Sequence, residues 1–340
     1  MKIQRYGQLR MSQEYSNSNG WHAAVFELGR VICFPVSTID KEEARIMWID
    51  IVFSGGGVKG FAFVGAIDQL ERAGFQFKRA AGTSAGAIVA ALLAAGYTSA
   101  EMKELMETMD TSQLIDSRSP VSFALFKWLR VYFRMGLYKG DSLEKWLLDV
   151  LAAKGVHTFA DLPSGALKIV VTDASRGRMV VLPDDLADYG LDPGVFSVAR
   201  AARMSAGLPF FFEPMPLVAD NGEKSLIVDG GLLSNFPLWL FDNGSETPDR
   251  PFLGIQTVGS MADQPSLQIN NAVELFKGIF SAMREVYDEK TIKRLKDSNI
   301  IIIPTSHVAT KDFSLSVGER ERLFAIGQDE TKLFLKKWTF

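Results

Sequence analysis

The sequence predicts an α/β protein in which helices cover a largely parallel sheet. The order strand, tight turn, helix occurs twice between residues 48 and 95, which is typical of parallel strands joined by covering helices. Apolar strand candidates continue along the chain, at 167–172, 225–228, 252–258 and 299–303. The composition is that of an ordinary globular protein, with 47% hydrophobic and 23% charged residues.

Apolar spacing predicts the strand and the helix of each strand–turn–helix segment. Residues 48–53 suit a buried strand, and a helical period follows over 58–73. A short strand over 77–81 then leads into a helix over 85–95, after which Thr98–Glu101 is typical of a capping box that opens another helix. Further helices are predicted over 141–153, 269–296 and 318–337.

Charge and cysteine content exclude several classes of protein. The 340 residues include 37 basic and 40 acidic side chains, for a net charge of −3, so we expect no nucleic-acid partner. A single cysteine, Cys33, rules out an internal disulfide framework and is compatible with the cytoplasmic location that we expect. No stretch approaches the ~18–20 apolar residues of a transmembrane helix.

The chain divides into two segments of different character. Residues 1–46 begin with a polar, basic stretch and end in a charged run, without the apolar core of a signal peptide. We interpret 1–46 as an N-terminal appendage, either poorly ordered or upstream of a native start at Met47. Residues 47–340 contain no strong linker, so we expect one α/β domain there.

The segment Gly82-Thr83-Ser84-Ala85-Gly86 matches G-x-S-x-G between a predicted strand and a predicted helix. That context is the one a nucleophile elbow requires. Glycines at both ends would leave room for a tight turn, and the Ser84 hydroxyl would project from a helix N-terminus that favours negative charge. A glycine-rich turn with a capping serine explains the five residues equally well.

A second glycine-rich turn, Gly55-Gly56-Gly57-Val58-Lys59-Gly60, follows the first strand. It formally matches G-x-G-x-x-G, but Asp68 and Glu71 lie inside the predicted helix instead of ending a second strand, as dinucleotide binding requires. The P-loop pattern is absent. Consecutive glycine amides at a helix start suit an oxyanion hole, with Lys59 adding positive charge, and a plain tight turn is the remaining alternative.

The segment Asp229-Gly230-Gly231 follows the strand candidate 225–228. A carboxylate at the C-terminal end of a strand lies at the rim where α/β sheets place their sites. Aspartate is equally a common turn residue, so the motif by itself leaves both roles open.

A serine nucleophile needs a base, and among the histidines there is only one formal candidate for that role. Of His22, His157 and His307, only His307 follows the chain order of an α/β-hydrolase triad. Asp229 is the better candidate because it has the glycine context of a site. Since an ordinary carboxylate has a pKa of ~3.9, it would have to be poorly solvated and held against the hydroxyl.

These three motifs, in this order and spacing, resemble those of the patatin-like phospholipases. The segments 205–214, 235–237 and 312–315 are similar to that family as well, as is Gly327. The resemblance covers residues 49–258, and the similarity of 312–315 and Gly327 extends it toward the C-terminus. It implies a three-layer α/β/α fold with a mostly parallel sheet, and a lipid acyl hydrolase that needs no cofactor and no metal.

Carried over residue by residue, the resemblance implies Ser84 as nucleophile, Asp229 as general base, and Gly55, Gly56 and Gly57 as oxyanion hole. The supporting residues would be Val58, Lys59, Gly60, Gly82, Gly86, Gly230 and Gly231. The expected substrate is a phospholipid or lysophospholipid. Two alternatives stay open: an acyltransferase with an acceptor other than water, and a nucleotide-binding regulatory module.

Residues 121–138 combine basic and aromatic side chains at helical spacing. Lys127, Arg130 and Arg134 fall on one helical face, and aromatic residues cover the remainder. Such a helix suits peripheral contact with an anionic membrane surface or a lid over an acyl groove. We slightly favour a core helix whose basic side chains reach solvent, because aromatic stripes more often belong to a core.

Overall fold

The computed structural model describes residues 11–16, 21–26, 31–35, 47–108, 131–242, 250–258, 269, 275, 278–279, 299–305 and 315–338. The chain separates into two compact units, Met1–Ile46 and Met47–Phe340. The described residues of the first unit form an antiparallel sheet of β1 (Met11–Ser16), β2 (Trp21–Phe26) and β3 (Val31–Pro35). His307 and most of the predicted helix 269–296 lie outside the described residues.

A mixed sheet forms the centre of the second unit. The described strands are β4 (Met47–Phe53), β5 (Phe75–Thr83), β6 (Gly136–Tyr138), β7 (Leu167–Asp173), β8 (Arg178–Leu182), β9 (Phe210–Phe212), β10 (Met215–Val218), β11 (Lys224–Asp229), β12 (Phe252–Val258) and β13 (Ile300–Pro304). The sheet order is β10-β11-β7-β5-β4-β12-β13, with β8 also paired to β7, while β6 and β9 pair separately. In the sheet, β5 is parallel to both β7 and β4, and β12 is parallel to both β4 and β13. The strands β8, β10 and β11 are antiparallel to their partners.

Helices flank this sheet, as predicted. They are α1 (Gly60–Arg72), α2 (Ala85–Ala94), α3 (Ser99–Thr108), α4 (Asp141–Ala153), α5 (Val198–Ser205) and α6 (Val317–Leu335). Thr98 and Glu101 form the predicted capping box before α3. Among the helices in the described part of the chain, α5 alone has no counterpart among the predicted helices. Among the described helices, none has the length and apolar character that a membrane span requires.

Both faces of the sheet are buried at β4, whose successive side chains point to opposite faces. Ile49, Ile51 and Phe53 belong to the main core, together with the buried sides of α1 and α2. Val52 points the other way and packs in a second cluster that contains Phe236. This two-sided burial holds the carboxyl ends of β4 and β5, where the glycine-rich and serine turns begin.

Two glycines allow α1 and α6 to cross in close contact. A Cβ atom at Gly65 would collide with the carbonyl oxygen of Phe324, and one at Gly327 would collide with that of Ala62. The helices therefore pack backbone against backbone. Because α1 follows the glycine-rich turn directly, this crossing anchors the helix into which that turn leads.

Gly327→Ala should destabilise the protein, because the added methyl group forces α1 and α6 apart. Overpacking of this kind costs about 1–3 kcal/mol of unfolding free energy. Gly318→Ala is the matched control on the same helix, since no atom lies within 4 Å of its Cβ position. Guanidinium denaturation of both variants measures the difference, and equal midpoints would contradict the close crossing.

Candidate active site

Ser84 occupies a sharp turn between the end of β5 and the start of α2. Its backbone adopts φ 56° and ψ −124°, a conformation that costs a non-glycine residue about 1–3 kcal/mol. A Cβ atom at Gly82 would collide with the carbonyl group of Gly86, and one at Gly86 would lie 2.5 Å from the carbonyl oxygen of Ser54. The two glycines therefore permit the strand-to-helix turn that the motif predicts.

The Ser84 hydroxyl donates a hydrogen bond of 2.8 Å to Oδ2 of Asp229, 145 positions further along the chain. The other carboxylate oxygen, Oδ1, accepts a hydrogen bond of 2.7 Å from the Gly231 amide. Only 3% of the Asp229 surface is exposed, so the carboxylate is largely shielded from water. Gly230 is needed next to it because a Cβ atom there would collide with the Val170 carbonyl oxygen.

Strand register explains this contact. Thr83 pairs with Val170 on one side of β7, and Asp229 pairs with Val171 on the other. Because β11 is antiparallel to β7, Asp229 reaches the rim formed by the ends of the parallel strands β4 and β5 from the opposite direction. The strand enters from beyond that rim and stops at the level of Ser84, where β7 continues for two further residues.

The glycine-rich turn lies beside the serine, since a Cβ atom at Gly55 would be 3.4 Å from that of Ser84. The Gly55 amide already donates a hydrogen bond of 2.8 Å to the Asn235 carbonyl oxygen. In the part of the chain that the structure describes, no group accepts a hydrogen bond from the amides of Gly56 or Gly57. Of the three amides that the sequence predicts as oxyanion donors, the amide of Gly55 is therefore already engaged.

The remaining residues of this turn direct the chain into α1. Gly57–Lys59 form one turn of 3₁₀ helix, and Gly60 begins α1. Gly57 has φ 57° with open space around its Cβ position, so the backbone conformation is what favours glycine there. Val58 packs against the main core, which leaves Lys59 as the charged residue of the turn.

No described histidine side chain contacts Ser84. His157 is exposed, and its backbone amide donates to Asp161 in a neighbouring turn. The side chain of His22 and all of His307 lie outside the described residues. The carboxylate of Asp229 occupies the position at which a triad would place its imidazole.

Asp173, a second buried acid at the end of β7, is engaged elsewhere. It accepts hydrogen bonds from the Tyr189 hydroxyl at 2.7 Å and from the amides of Ser175 and Arg176. Burial alone would raise the pKa of Asp173, but these bonds and one from Ser225 outweigh it and hold the pKa below its ordinary value. Burial raises the pKa of Tyr189, as does its bond to Asp173. This acid therefore stabilises the turn between β7 and β8.

The helix that the apolar spacing misses, α5, brings further polar groups to the site. Ser197 caps it by accepting a hydrogen bond from the Arg200 amide. Near its end, Ser205 Oγ accepts a hydrogen bond of 2.9 Å from the Ser84 amide and donates one of 2.7 Å to the Val170 carbonyl oxygen. The sequence signal that could have predicted α5 is a capping serine before an alanine-rich run.

A central sheet flanked by helices, with a glycine-rich turn and a serine turn after adjacent strands, is typical of α/β hydrolases. Comparison with known proteins identifies the family within this class. The family model of the patatin-like phospholipases matches residues 51–242, which is more than half of the chain. The chain therefore belongs to the patatin-like phospholipase family.

Individual relatives agree with this assignment. The uncharacterized protein YqhO of Bacillus subtilis is 48% identical over 295 residues, which cover 86% of this chain and 100% of that protein. A cUMP-AMP-activated phospholipase of Escherichia coli is 28% identical over 198 residues, 55% of each chain. The crystal structure of VipD from Legionella pneumophila matches with a TM-score of 0.50 at 18% identity, over 99% of this chain and 72% of that one. This last likeness supports the fold.

Proposed function

We propose that this protein hydrolyses fatty acyl esters of phospholipids or lysophospholipids, with Ser84 as nucleophile and Asp229 as general base. The observation that carries the proposal is the 2.8 Å hydrogen bond between Ser84 Oγ and Asp229 Oδ2. Family membership supports the ester-hydrolase chemistry and the lipid class. The dyad needs no metal and no cofactor, since both reacting groups come from the chain.

The surroundings of Asp229 suit a carboxylate base. A freely solvated carboxylate, with a pKa of ~3.9, holds protons weakly. Here one oxygen is occupied by the Gly231 amide, and the other faces the Ser84 hydroxyl in a site with little exposure. The proton can then pass along an existing hydrogen bond as the serine oxygen attacks, so no free alkoxide has to form.

The amides of Gly56 and Gly57 would stabilise the oxyanion. They follow Gly55, whose Cβ position would lie 3.4 Å from that of Ser84, in a turn without side chains at the start of a helix. A preorganised donor of this kind contributes about 10²–10³ in rate. Gly55 would instead fix the turn through its bond to Asn235.

The reaction proceeds through an acyl-enzyme. The Ser84 oxygen adds to the ester carbonyl carbon while its proton passes to Asp229. The tetrahedral intermediate then expels the alcohol portion of the lipid, which takes up that proton, and the acyl group stays on Ser84. Water, deprotonated by Asp229, attacks the acyl group, releases the fatty acid and restores the serine hydroxyl.

Ser84→Ala should lower fatty-acid release from lysophosphatidylcholine by about 10³-fold or more, because the attacking atom is removed. A fluorophosphonate probe should label the wild-type protein at this serine and leave the variant unlabelled. Ser99→Ala is the matched control. Ser99 begins α3, and its buried hydroxyl donates a hydrogen bond to Glu71. This variant should keep full activity.

Fatty-acid release from Ser84→Ala at the wild-type rate would contradict the proposal. The products also distinguish the acceptor of the acyl group. Free fatty acid in the presence of an added alcohol supports hydrolysis, whereas an acylated alcohol supports the acyltransferase alternative.

Asp229→Asn should lower kcat by about 10²–10⁴-fold, the range for loss of a general base. The asparagine keeps an oxygen for the Gly231 amide, but its NH₂ group would face Ser84 as a donor and could not take the proton. Asp220→Asn, at an exposed aspartate in the turn before β11, is the control and should keep wild-type kcat. Activity that survives Asp229→Asn and is lost in His307→Ala would establish a histidine base instead.

We also propose peripheral membrane contact through the segment 121–138. The structure describes residues 131–138 of it, and 131–134 are helical. Tyr132 and Phe133 are 67% and 70% exposed, so the core-helix interpretation is wrong for this part. Arg134 is exposed beside them, which places apolar and basic groups together on the surface, as an anionic lipid interface requires.

Replacing Lys127, Arg130 and Arg134 together by Gln should weaken binding to phosphatidylglycerol vesicles. Each basic residue near an anionic surface contributes about 1 kcal/mol, so three should account for about a 10²-fold change in partitioning. Sedimentation with phosphatidylglycerol vesicles, and with phosphatidylcholine vesicles for comparison, measures it. The control replaces three exposed lysines on α4 and at the end of α6: Lys145, Lys332 and Lys336. Equal binding of the two triple variants would contradict the proposal.

A further inference from the structure

The C-terminal end of α5 contacts the backbone of both residues of the proposed dyad. Ser205 Oγ accepts a hydrogen bond of 2.9 Å from the Ser84 amide. Two residues later, the carbonyl oxygen of Gly207 accepts one of 2.9 Å from the Asp229 amide. One short segment, 205–207, is therefore hydrogen-bonded to two residues that lie 145 positions apart.

The Ser205 hydroxyl has a defined orientation. It is fully buried, at 0% exposure, and its single proton is donated to the Val170 carbonyl oxygen at 2.7 Å. A hydroxyl with its proton committed presents its lone pairs elsewhere, and here they receive the Ser84 amide. Val170 belongs to β7, which separates the strands of Ser84 and Asp229, so Ser205 ties the serine turn to the strand against which both residues are aligned.

The helix that holds Ser205 is itself anchored. Arg203 is 1% exposed, and its guanidinium donates to the carbonyl oxygens of Gly140 at 3.0 Å and Lys139 at 2.6 Å. The same group lies 4.4 Å above the ring of Phe212. These contacts fix the last turn of α5 against β6 and β9, so Ser205 has a rigid base.

We propose that Ser205 is a positioning residue that holds the Ser84 turn in its strained conformation and so sets the contact with Asp229. A serine at φ 56° keeps that backbone conformation only when its surroundings impose it. The Ser205 hydroxyl supplies such a restraint at the amide of the strained residue itself. The inference rests on the proposed function, because a positioned nucleophile matters only if Ser84 reacts.

The same hydrogen bond has a consequence for the oxyanion. Because the Ser84 amide is committed to Ser205, it is not free to donate to the substrate. The amides of Gly56 and Gly57, proposed above as oxyanion donors, are not committed in this way among the described residues.

Ser205→Ala tests the proposal, with Ser205→Thr as the variant that keeps the hydroxyl and Ser99→Ala as the buried-serine control. A nucleophile displaced by about 1 Å loses about 10²-fold in rate, so Ser205→Ala should lower kcat and the rate of fluorophosphonate labelling by about that factor. KM should stay within about 3-fold of wild type, since the groups that bind the acyl chain are untouched. Ser205→Thr should recover most of kcat.

Amide hydrogen exchange gives a readout that does not depend on activity. Mass spectrometry of the peptide that contains Ser84 should show faster exchange in Ser205→Ala than in wild type, Ser205→Thr or Ser99→Ala. This measurement also tests the positioning role of Ser205 if Ser205→Thr folds poorly because of its additional methyl group.

Wild-type kcat in Ser205→Ala, or unchanged exchange at Ser84, would overturn the positioning role. A loss of stability in Ser205→Ala with kcat unchanged would do the same, because it would show a purely structural serine. These results differ from failure of the proposed function, in which Ser84→Ala keeps wild-type activity while the Ser205 variants still change the exchange at Ser84.

Discussion

The hydrogen bond of 2.8 Å between Ser84 Oγ and Asp229 Oδ2 depends on an alignment of three strands. Ser84 follows β5 and Asp229 ends β11, and these strands do not pair with each other because β7 lies between them. The two residues must therefore meet across β7 at the same level along that strand. The pairing of Thr83 with Val170, and of Asp229 with Val171, supplies that level. A slip of β11 by one residue would turn the carboxylate to the opposite face of the sheet.

The glycines of the three motifs serve two different purposes. Gly82, Gly86 and Gly230 each face a backbone carbonyl group that leaves no room for a Cβ atom, so packing requires them. Gly56 and Gly57 belong to a turn whose amides meet no acceptor among the described residues, and these amides suit the oxyanion. Residues that look alike in the sequence thus divide into structural and chemical groups only when their neighbours are known.

Local signals predicted the longer elements well. The apolar period over 141–153 corresponds to α4, and the run 252–258 corresponds to β12. The short strands β8, β9 and β10 had no such signal, because strands of three to five residues depend on partners far along the chain. The helix α5 was missed for a related reason. Its buried Arg203 replaces an apolar side chain by bonding to carbonyl groups of distant residues, and no local pattern reports such partners.

The sequence by itself determined the α/β class, the two strand–turn–helix units, and the serine, aspartate and glycine motifs, because hydrophobic period and turn chemistry act over a few residues. It favoured Asp229 over His307 as the base for the serine, but it gave neither the direction of the strand that carries Asp229 nor the contact with Ser84. Only the tertiary structure decided that β11 is antiparallel, that Asp229 contacts Ser84, and that the amides of Gly55 and Ser84 are already occupied. Those facts depend on pairing and packing between residues distant in the chain, where strand direction and register are set by the whole sheet and by no local segment.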